Sequence, residues 1–275
     1  MNDRSVRILE FLANNDSIKI TLLSELLDVS QVTLRKDLDN LEKQGIVSRI
    51  HGYVNLDRAD ETGKRMAFYY PIKCKIAKAA AQTIDDGETI MLESGSCCAL
   101  FAEELAITKK NITIITNSIF ITAFVRNLQR KFSRRIANVK IILLGGYLQP
   151  ESQVLVGSMT IKNAAEFFPD KFFMGTDGFI PGQGFTGCDH FSAETALGLA
   201  SCAKKVFILT EAAKFCRRGT VSLIQLNKLT GVFTDDTITK EAEDDLKKNN
   251  IQLIKVPSAD EKIKWRRQSG MYREK

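Results

Sequence analysis

Along the first 56 residues the apolar positions keep a helical period three times and then switch to the period of a strand. Val6, Ile8, Leu9 and Leu12 mark one helix and Ile20 to Leu27 a second. Leu34, Leu38 and Leu41 mark a third, which follows the short turn Asp28-Val29. Ser30 stands where an N-cap belongs, with a hydroxyl able to accept from a free N–H of the first turn. Gly45 is expected to stop the helix. Ile46 to Ile50 and Tyr53 to Leu56 then read as two short strands around His51-Gly52. Three helices and a wing in this order predict a winged helix-turn-helix, whose third helix lies in a DNA major groove. That helix turns Gln31, Thr33, Arg35 and Lys36 outward in its first turns. A polar, cationic set of this kind suits base edges and phosphates. With Ser30 at the cap and Arg49 and His51 on the wing, these residues are the expected DNA contacts.

After the wing the pattern changes. Residues 58–72 carry mixed charge without periodicity and read as a linker between a DNA-binding domain, 1–57, and a second domain, 73–256. In the second domain short apolar runs alternate with helical stretches. The predicted strands are Glu88–Leu92, Ile112–Thr116, Val139–Leu144, Lys171–Gly175, Lys205–Thr210, Gly231–Thr234 and Ile251–Val256. The predicted helices are Lys73–Ile84, Cys98–Leu105, Ser118–Lys131, Ala193–Cys202 and Lys240–Lys248. Apolar strands separated by helices imply an α/β domain, a parallel sheet covered by helices on both faces.

Ligands in such sheets bind at the carboxyl ends of the strands. There the chain places Ser94-Gly95-Ser96-Cys97-Cys98 ahead of a helix, then Asn117-Ser118, Gly145-Gly146, Asp177 and Lys214. A small-residue loop feeding a helix N-terminus offers free N–H groups and the positive end of a helix dipole, which suits a phosphate.

Charge and composition refine this picture. The chain is net +6 at neutral pH, yet residues 1–58 hold eight Lys and Arg against nine Asp and Glu. Phosphate attraction must come from a local face, Arg35, Lys36 and Arg49, and tight operator binding is expected to require a homo-oligomer. Six cysteines without a Cys-x-x-Cys pair, and two histidines, argue against a zinc site. No cofactor or metal is expected. No apolar run approaches the roughly 20 residues of a membrane span. The amphipathic start shows no signal peptide, so the chain is expected in the cytoplasm with no membrane partner. Two basic clusters remain, Arg126 to Lys140 and a C-terminal tail, 257–275, that holds Trp265. They read as a solvated face and a frayed end, with non-specific DNA contact or subunit association as the sharper alternative.

The chain resembles the DeoR family of bacterial transcriptional regulators from about residue 4 to about residue 256. In the first domain the resemblance is carried by Val29-Ser30, Thr33-Leu34-Arg35-Lys36-Asp37-Leu38, Leu41-Glu42, Gly45, Arg49 and His51-Gly52. In the second it is carried by Ser94-Gly95-Ser96, Thr116-Asn117-Ser118, Gly145-Gly146, Val156-Gly157, Gly175-Thr176-Asp177-Gly178 and Lys214-Phe215. It implies a sensor with a fold like ribose-5-phosphate isomerase, which binds a phosphorylated sugar or related metabolite and adjusts operator affinity. It further implies a regulator, in first place a repressor, of a carbohydrate-utilisation operon. The phosphate is then expected on the Ser94-Gly95-Ser96 loop with Lys214 as its cation, and Asp177 and Glu194 are expected to accept from sugar hydroxyls. Departures from the family pattern are Cys97 and Cys98 for two threonines, Glu211 for Asp, Ala213 for Ser, and Ala196 and Gly198 for polar residues. Backbone capture of phosphate survives these changes, while sugar-hydroxyl recognition is altered.

Two rival readings use the same residues. A sugar-phosphate isomerase would need a proton-shuttling carboxylate and a donor for the enediolate oxygen, from among Asp177, Glu194, Glu211 and Lys214. A redox sensor would use Cys97 and Cys98, since a helix N-terminus lowers a thiol pKa.

Overall fold

A computed structural model describes residues 3–13, 15, 17–43, 46–56, 65, 66, 68–131 and 139–258. Gly45, most of the expected linker, Arg134, Arg135 and the tail beyond residue 258 lie outside them.

The first helices are α1 (Asp3–Ala13), α2 (Ile20–Leu27) and α3 (Gln31–Lys43). Asp28 ends α2 in the left-handed conformation (φ 54°), and the Val29 N–H returns to the Ser24 carbonyl at 3.0 Å. This closure ends α2 and lets α3 begin at Gln31. The Ser30 hydroxyl accepts from the Thr33 N–H at 3.2 Å, as an N-cap should, and such caps contribute about 1 kcal/mol. Leu34, Leu38 and Leu41 are buried against Ile8, Leu9, Leu12, Leu23 and Leu27.

The wing has one strand more than expected. Strand β1 (Ile18–Lys19) pairs antiparallel with β3 (Tyr53–Leu56), which also pairs with β2 (Val47–Ile50). His51 and Gly52, both at positive φ (49° and 83°), form the two-residue turn between Ile50 and Tyr53. Two consecutive positive φ values match the right-handed twist of a hairpin.

Helix α4 (Tyr70–Ala81) starts three residues before the expected Lys73, because Pro71 at its first turn presets the helical φ and lacks only a donor that would go unused. The expected linker 58–72 is corrected accordingly at its C-terminal end. Seven parallel strands follow among the described residues: β4 (Thr89–Leu92), β5 (Thr113–Thr116), β6 (Lys140–Leu143), β9 (Lys171–Met174), β12 (Lys205–Leu209), β14 (Gly231–Asp235) and β15 (Gln252–Val256). Their order across the sheet is β15-β14-β12-β9-β4-β5-β6. Every pairing is parallel.

Successive strand residues face opposite layers. Ile90 and Leu92 pack with α4, α5 (Ser96–Thr108) and α6 (Ile119–Lys131), through Ile76, Phe101, Leu105 and Phe124. Met91 faces the other layer with Phe172 and Met174, under α8 (His190–Ser201) and α9 (Lys240–Lys248), through Ala196, Leu199 and Leu246.

Sequence periodicity left three pieces unassigned. They are the hairpin β7 (Tyr147–Gln149) and β8 (Val154–Val156), the helix α7 (Ser158–Ala164), and an antiparallel sheet of β10 (Gly178–Ile180), β11 (Gly184–Gly187) and β13 (Val221–Gln225).

Candidate functional site

On the DNA-binding domain the outward set of α3 stands as expected. Gln31, Arg35 and Lys36 are exposed and Thr33 is half-buried beside the cap. Neither Arg35 nor Lys36 has an ionic partner among the described residues, so both charges are available to phosphate or base edges. Asp37, midway along α3, is buried and ion-paired with Arg4 of α1, which fixes the helix on its support.

Arg49 is differently employed. Its guanidinium lies 2.6 Å from Asp39 Oδ1 and 2.5 Å from Glu42 Oε2, and its backbone N–H donates to Glu42 Oε1 at 3.1 Å. The bond to Glu42 holds its pKa above the ordinary arginine value. Arg49, partly exposed, braces the wing against α3 and shares its charge with Asp39 and Glu42. His51 is exposed at the tip of the wing.

In the second domain a cleft of about 2070 Å³ opens at the carboxyl ends of β4, β9 and β12. The position follows from topology. The chain runs outward from β4 through β5 to β6 and then returns to β9 on the other side of β4. The loops after β4 and β9 therefore diverge, and the crevice between them is the switch point where α/β sheets bind ligands.

From β4 come Glu93, Ser94, Gly95, Ser96 and Cys97. Gly95, at φ 107°, directs the chain into α5, and Ala99 N–H bonds back to its carbonyl at 2.9 Å. The N–H groups of the first helical turn have no acceptor within the helix and point toward the cleft with the positive end of the helix dipole.

From the end of β9 comes Asp177. Its Oδ1 accepts from Arg65 Nη1 at 3.2 Å and stands 3.7 Å from Lys214 Nζ, while its Oδ2 accepts from the Cys188 N–H at 3.1 Å. From the end of β12 come Glu211 and the 3-10 turn Ala212–Cys216 that presents Lys214. Lys73 of α4 is buried with its Nζ 3.9 Å from Glu211 Oε1, and it donates to the Arg65 carbonyl. Burial lowers the Lys73 pKa, and Glu211 works against that shift.

The far wall is polar. Ser192 Oγ donates to Gln149 Oε1 at 2.8 Å, and Gln149 Nε2 donates to Asp189 Oδ1 at 2.8 Å. These bonds tie the β7–β8 hairpin to the start of α8.

Several expected site residues lie outside this lining. Asn117 Nδ2 donates to the Leu155 carbonyl at 3.0 Å, and the Ser118 hydroxyl caps α6 by accepting from Ile121 N–H at 3.2 Å. Both hold the β7–β8 hairpin or the helix rather than facing the cleft. Gly145 N–H donates to Asn163 Oδ1 at 3.0 Å. At Gly146 an added Cβ would stand 2.0 Å from Thr160 Oγ1, so this glycine serves close packing of α7. Glu194 is exposed on α8, whereas Ser192 and Ala193 line the cleft.

Cys98 is buried in the core with its Sγ 3.8 Å from the Phe173 carbonyl. Burial pushes the Cys97 thiol up to about 12 and raises the Cys98 thiol well above its ordinary value. At neutral pH neither is a thiolate, the opposite of what a redox sensor needs.

Sequence reasoning missed Arg65, Lys73, Glu93, Gln149 and Asp189 as cleft residues. Only Glu93 carried a usable signal, as the residue between a strand end and the small-residue loop. The others come from four separate segments with no common spacing.

Comparison with known proteins matches both halves of the chain. Residues 4–59 match the DeoR-like helix-turn-helix domain, and residues 70–236 match the DeoR C terminal sensor domain. The HTH-type transcriptional regulator FruR of Bacillus subtilis is 27% identical over 88% of this chain and 92% of its own. The lactose phosphotransferase system repressor of Staphylococcus epidermidis is 27% identical over 88% of this chain and 94% of its own. The repressor GlcR of Bacillus subtilis is 28% identical over 92% and 95%. Among solved structures, a D-ribose-5-phosphate isomerase in complex with phospho-erythronic acid aligns with 53% of this chain and 54% of that one. Its TM-score is 0.37 at 17% identity, a likeness too distant to carry a functional argument. With a winged helix that turns Arg35 and Lys36 outward and a sensor cleft at its sheet's switch point, the chain belongs to the DeoR family of DNA-binding transcriptional regulators.

Proposed function

We propose that this regulator represses a carbohydrate-utilisation operon and that a phosphorylated sugar, bound in the cleft, adjusts its affinity for operator DNA. The observation that carries this reading is the meeting of two kinds of group at one switch point. The first-turn N–H groups after Gly95 and the Lys214 ammonium favour an anion, while Asp177 offers carboxylate oxygens to hydroxyls. An anion beside hydroxyls is the chemistry of a sugar phosphate. The names of relatives point the same way: a lactose phosphotransferase system repressor, the repressor GlcR and an L-fucose operon activator of Escherichia coli.

In this reading the phosphate rests on Ser94, Gly95, Ser96 and the Cys97 N–H, with Lys214 as its cation. The Cys97 side chain contributes bulk without a hydroxyl. Operator contact is made by Gln31, Thr33, Arg35 and Lys36 from α3, with His51 on the wing. Because residues 1–58 carry no excess of Lys and Arg over Asp and Glu, binding is by a homo-oligomer that adds several such faces. The protein works in the cytoplasm, where DNA and sugar phosphates meet; no described helix is long and apolar enough to cross a membrane.

The test is a thermal-shift panel on the full chain. It comprises fructose 1-phosphate, fructose 6-phosphate, glucose 6-phosphate, tagatose 6-phosphate and ribose 5-phosphate, each beside its unphosphorylated sugar. A ligand present at about 100 times its Kd stabilises by about 2.7 kcal/mol. At least one phosphate is expected to raise Tm while its parent sugar does not.

A further inference from the structure

Beyond Lys214 the cleft holds two cations that the reading above does not use. Arg217 and Arg218 directly follow the 3-10 turn Ala212–Cys216, are exposed, and line the cleft. The other cations of the lining each stand by a carboxylate. Arg65 lies 3.2 Å and Lys214 3.7 Å from Asp177, and Lys73 lies 3.9 Å from Glu211. Neither Arg217 nor Arg218 forms an ion pair among the described residues.

The backbone that carries this pair is tied on both sides. The Phe179 N–H donates to the Arg217 carbonyl at 2.8 Å, and the Arg217 N–H donates to the Lys214 carbonyl at 3.1 Å. At Gly178 an added Cβ would stand 2.8 Å from Arg218 Cα, so the start of β10 packs directly on the pair. On the other side the Gly219 N–H donates to Thr186 Oγ1 at 2.8 Å. Arginines on a backbone fixed in this way lose less freedom on binding than arginines on an untethered loop.

Their place relative to the Gly95 loop sets the size of the ligand. Gly175 lies against that loop, with an added Cβ 3.7 Å from the Ser94 carbonyl oxygen, and Gly178 meets Arg217 and Arg218. Three residue steps separate these two glycines, at most about 11 Å, and Asp177 lies between them. That is the reach of a six-carbon chain with a charged group at each end and hydroxyls in the middle. The cleft, of about 2070 Å³, also exceeds the about 300–1,000 Å³ of ordinary small-ligand pockets. A guanidinium fork matches phosphate and carboxylate alike. We infer that Arg217 and Arg218 form a second anion subsite, and that the effector is a sugar phosphate with a further anionic group, phosphate or carboxylate, at its other end. This inference rests on the sugar-phosphate reading of the cleft and names the effector's class.

The experiment titrates the full chain calorimetrically with two matched sets. Fructose 1,6-bisphosphate is compared with fructose 1-phosphate and fructose 6-phosphate, and 6-phosphogluconate with glucose 6-phosphate. The parent is expected to bind at least one doubly anionic compound at least tenfold more tightly than its singly phosphorylated counterparts. Preference for the bisphosphate makes the second group a phosphate, and preference for 6-phosphogluconate makes it a carboxylate. In the double variant Arg217→Ala/Arg218→Ala the preference is expected to shrink to threefold or less, with affinity for the monophosphates within twofold of the parent's. Arg217→Lys/Arg218→Lys keeps the charge without the fork and is expected to lose at least threefold of the preference. A parent that binds monophosphates as tightly as both doubly anionic compounds overturns the second subsite and leaves the sugar-phosphate reading standing. A preference that survives the alanine pair, or survives the lysine pair undiminished, also overturns it, as does equal loss of both classes of ligand. If none of these compounds binds the parent, the sugar-phosphate reading falls first, and the inference with it.

Discussion

Arg49 grips Glu42 twice, through its guanidinium at 2.5 Å and its backbone N–H at 3.1 Å, so the wing hangs on the end of the recognition helix. The pair is partly exposed, and exposed pairs contribute about 0.2–1 kcal/mol. Glu42→Ala is expected to lower stability by that amount, read as a small drop in Tm. It should also weaken DNA binding through His51, whose position depends on the brace.

Arg35 and Lys36 face outward from the first turns of α3 without a carboxylate among the described residues. Replacing either by Ala is expected to weaken operator binding by about 1–3 kcal/mol if it reads a base, and by less if it touches phosphate alone. Gel-shift titration at fixed salt checks this, with circular dichroism confirming the fold. Equal affinity in both variants would take α3 out of the groove.

Gly95 stands at φ 107° with open space where a Cβ would be, so a side chain there strains the backbone without a clash. Gly95→Val is expected to cost about 1–3 kcal/mol of stability and to abolish sugar-phosphate binding by turning the first N–H groups away. Gly182, at φ 75° with equally open space, lies in the β10–β11 turn away from the cleft. Gly182→Val should carry a similar strain and bind normally. If both variants bind equally well, the phosphate does not rest on the Gly95 loop.

Burial pushes the Glu93 carboxyl up to about 7, against an ordinary value near 4.5, with bonds from Ser94 and the Gly175 backbone opposing the shift. The folded chain then holds a proton that the unfolded chain releases between about pH 4.5 and 7. Stability therefore falls as pH rises through that window and levels off above it. Above pH 7 the ionised Glu93 also places a negative charge beside the Ser94-Gly95-Ser96 loop. Glu93→Gln is expected to flatten this part of the Tm–pH curve and to strengthen sugar-phosphate binding at pH 8 relative to the parent. A variant whose curve parallels the parent's would place the titrating group elsewhere.

The winged helix and the seven-stranded sheet were legible because their burial is regular. Leu34, Leu38 and Leu41 repeat at helical spacing, and each sheet strand is an apolar run, so local sequence sets the element. The pieces that escaped have long-range causes. Strands β10 and β11 are three and four residues long and rich in glycine, and they exist because β11 finds β13 some thirty-five residues later. Gly146 and Asn117 looked like ligand groups because glycine and amides also serve packing. Only their neighbours Thr160 and Leu155 reveal that use. Arg65 lay in a stretch without periodicity, and nothing in its surroundings along the chain points to Asp177, more than a hundred residues away.

Lys214 sits 3.7 Å from Asp177 and lines the cleft together with Ser94, Gly95 and Ser96. The most direct measurement is calorimetric titration of the full chain and of Lys214→Ala, with the sugar phosphate that shifts Tm most and with its unphosphorylated parent sugar. The parent chain is expected to bind the phosphate and not the sugar. Lys214→Ala is expected to lose about 1.5–3 kcal/mol of that binding, the range for a hydrogen bond to a charged group. Equal affinity of the two proteins, or equal binding of sugar and sugar phosphate, would contradict the sensor cleft as described.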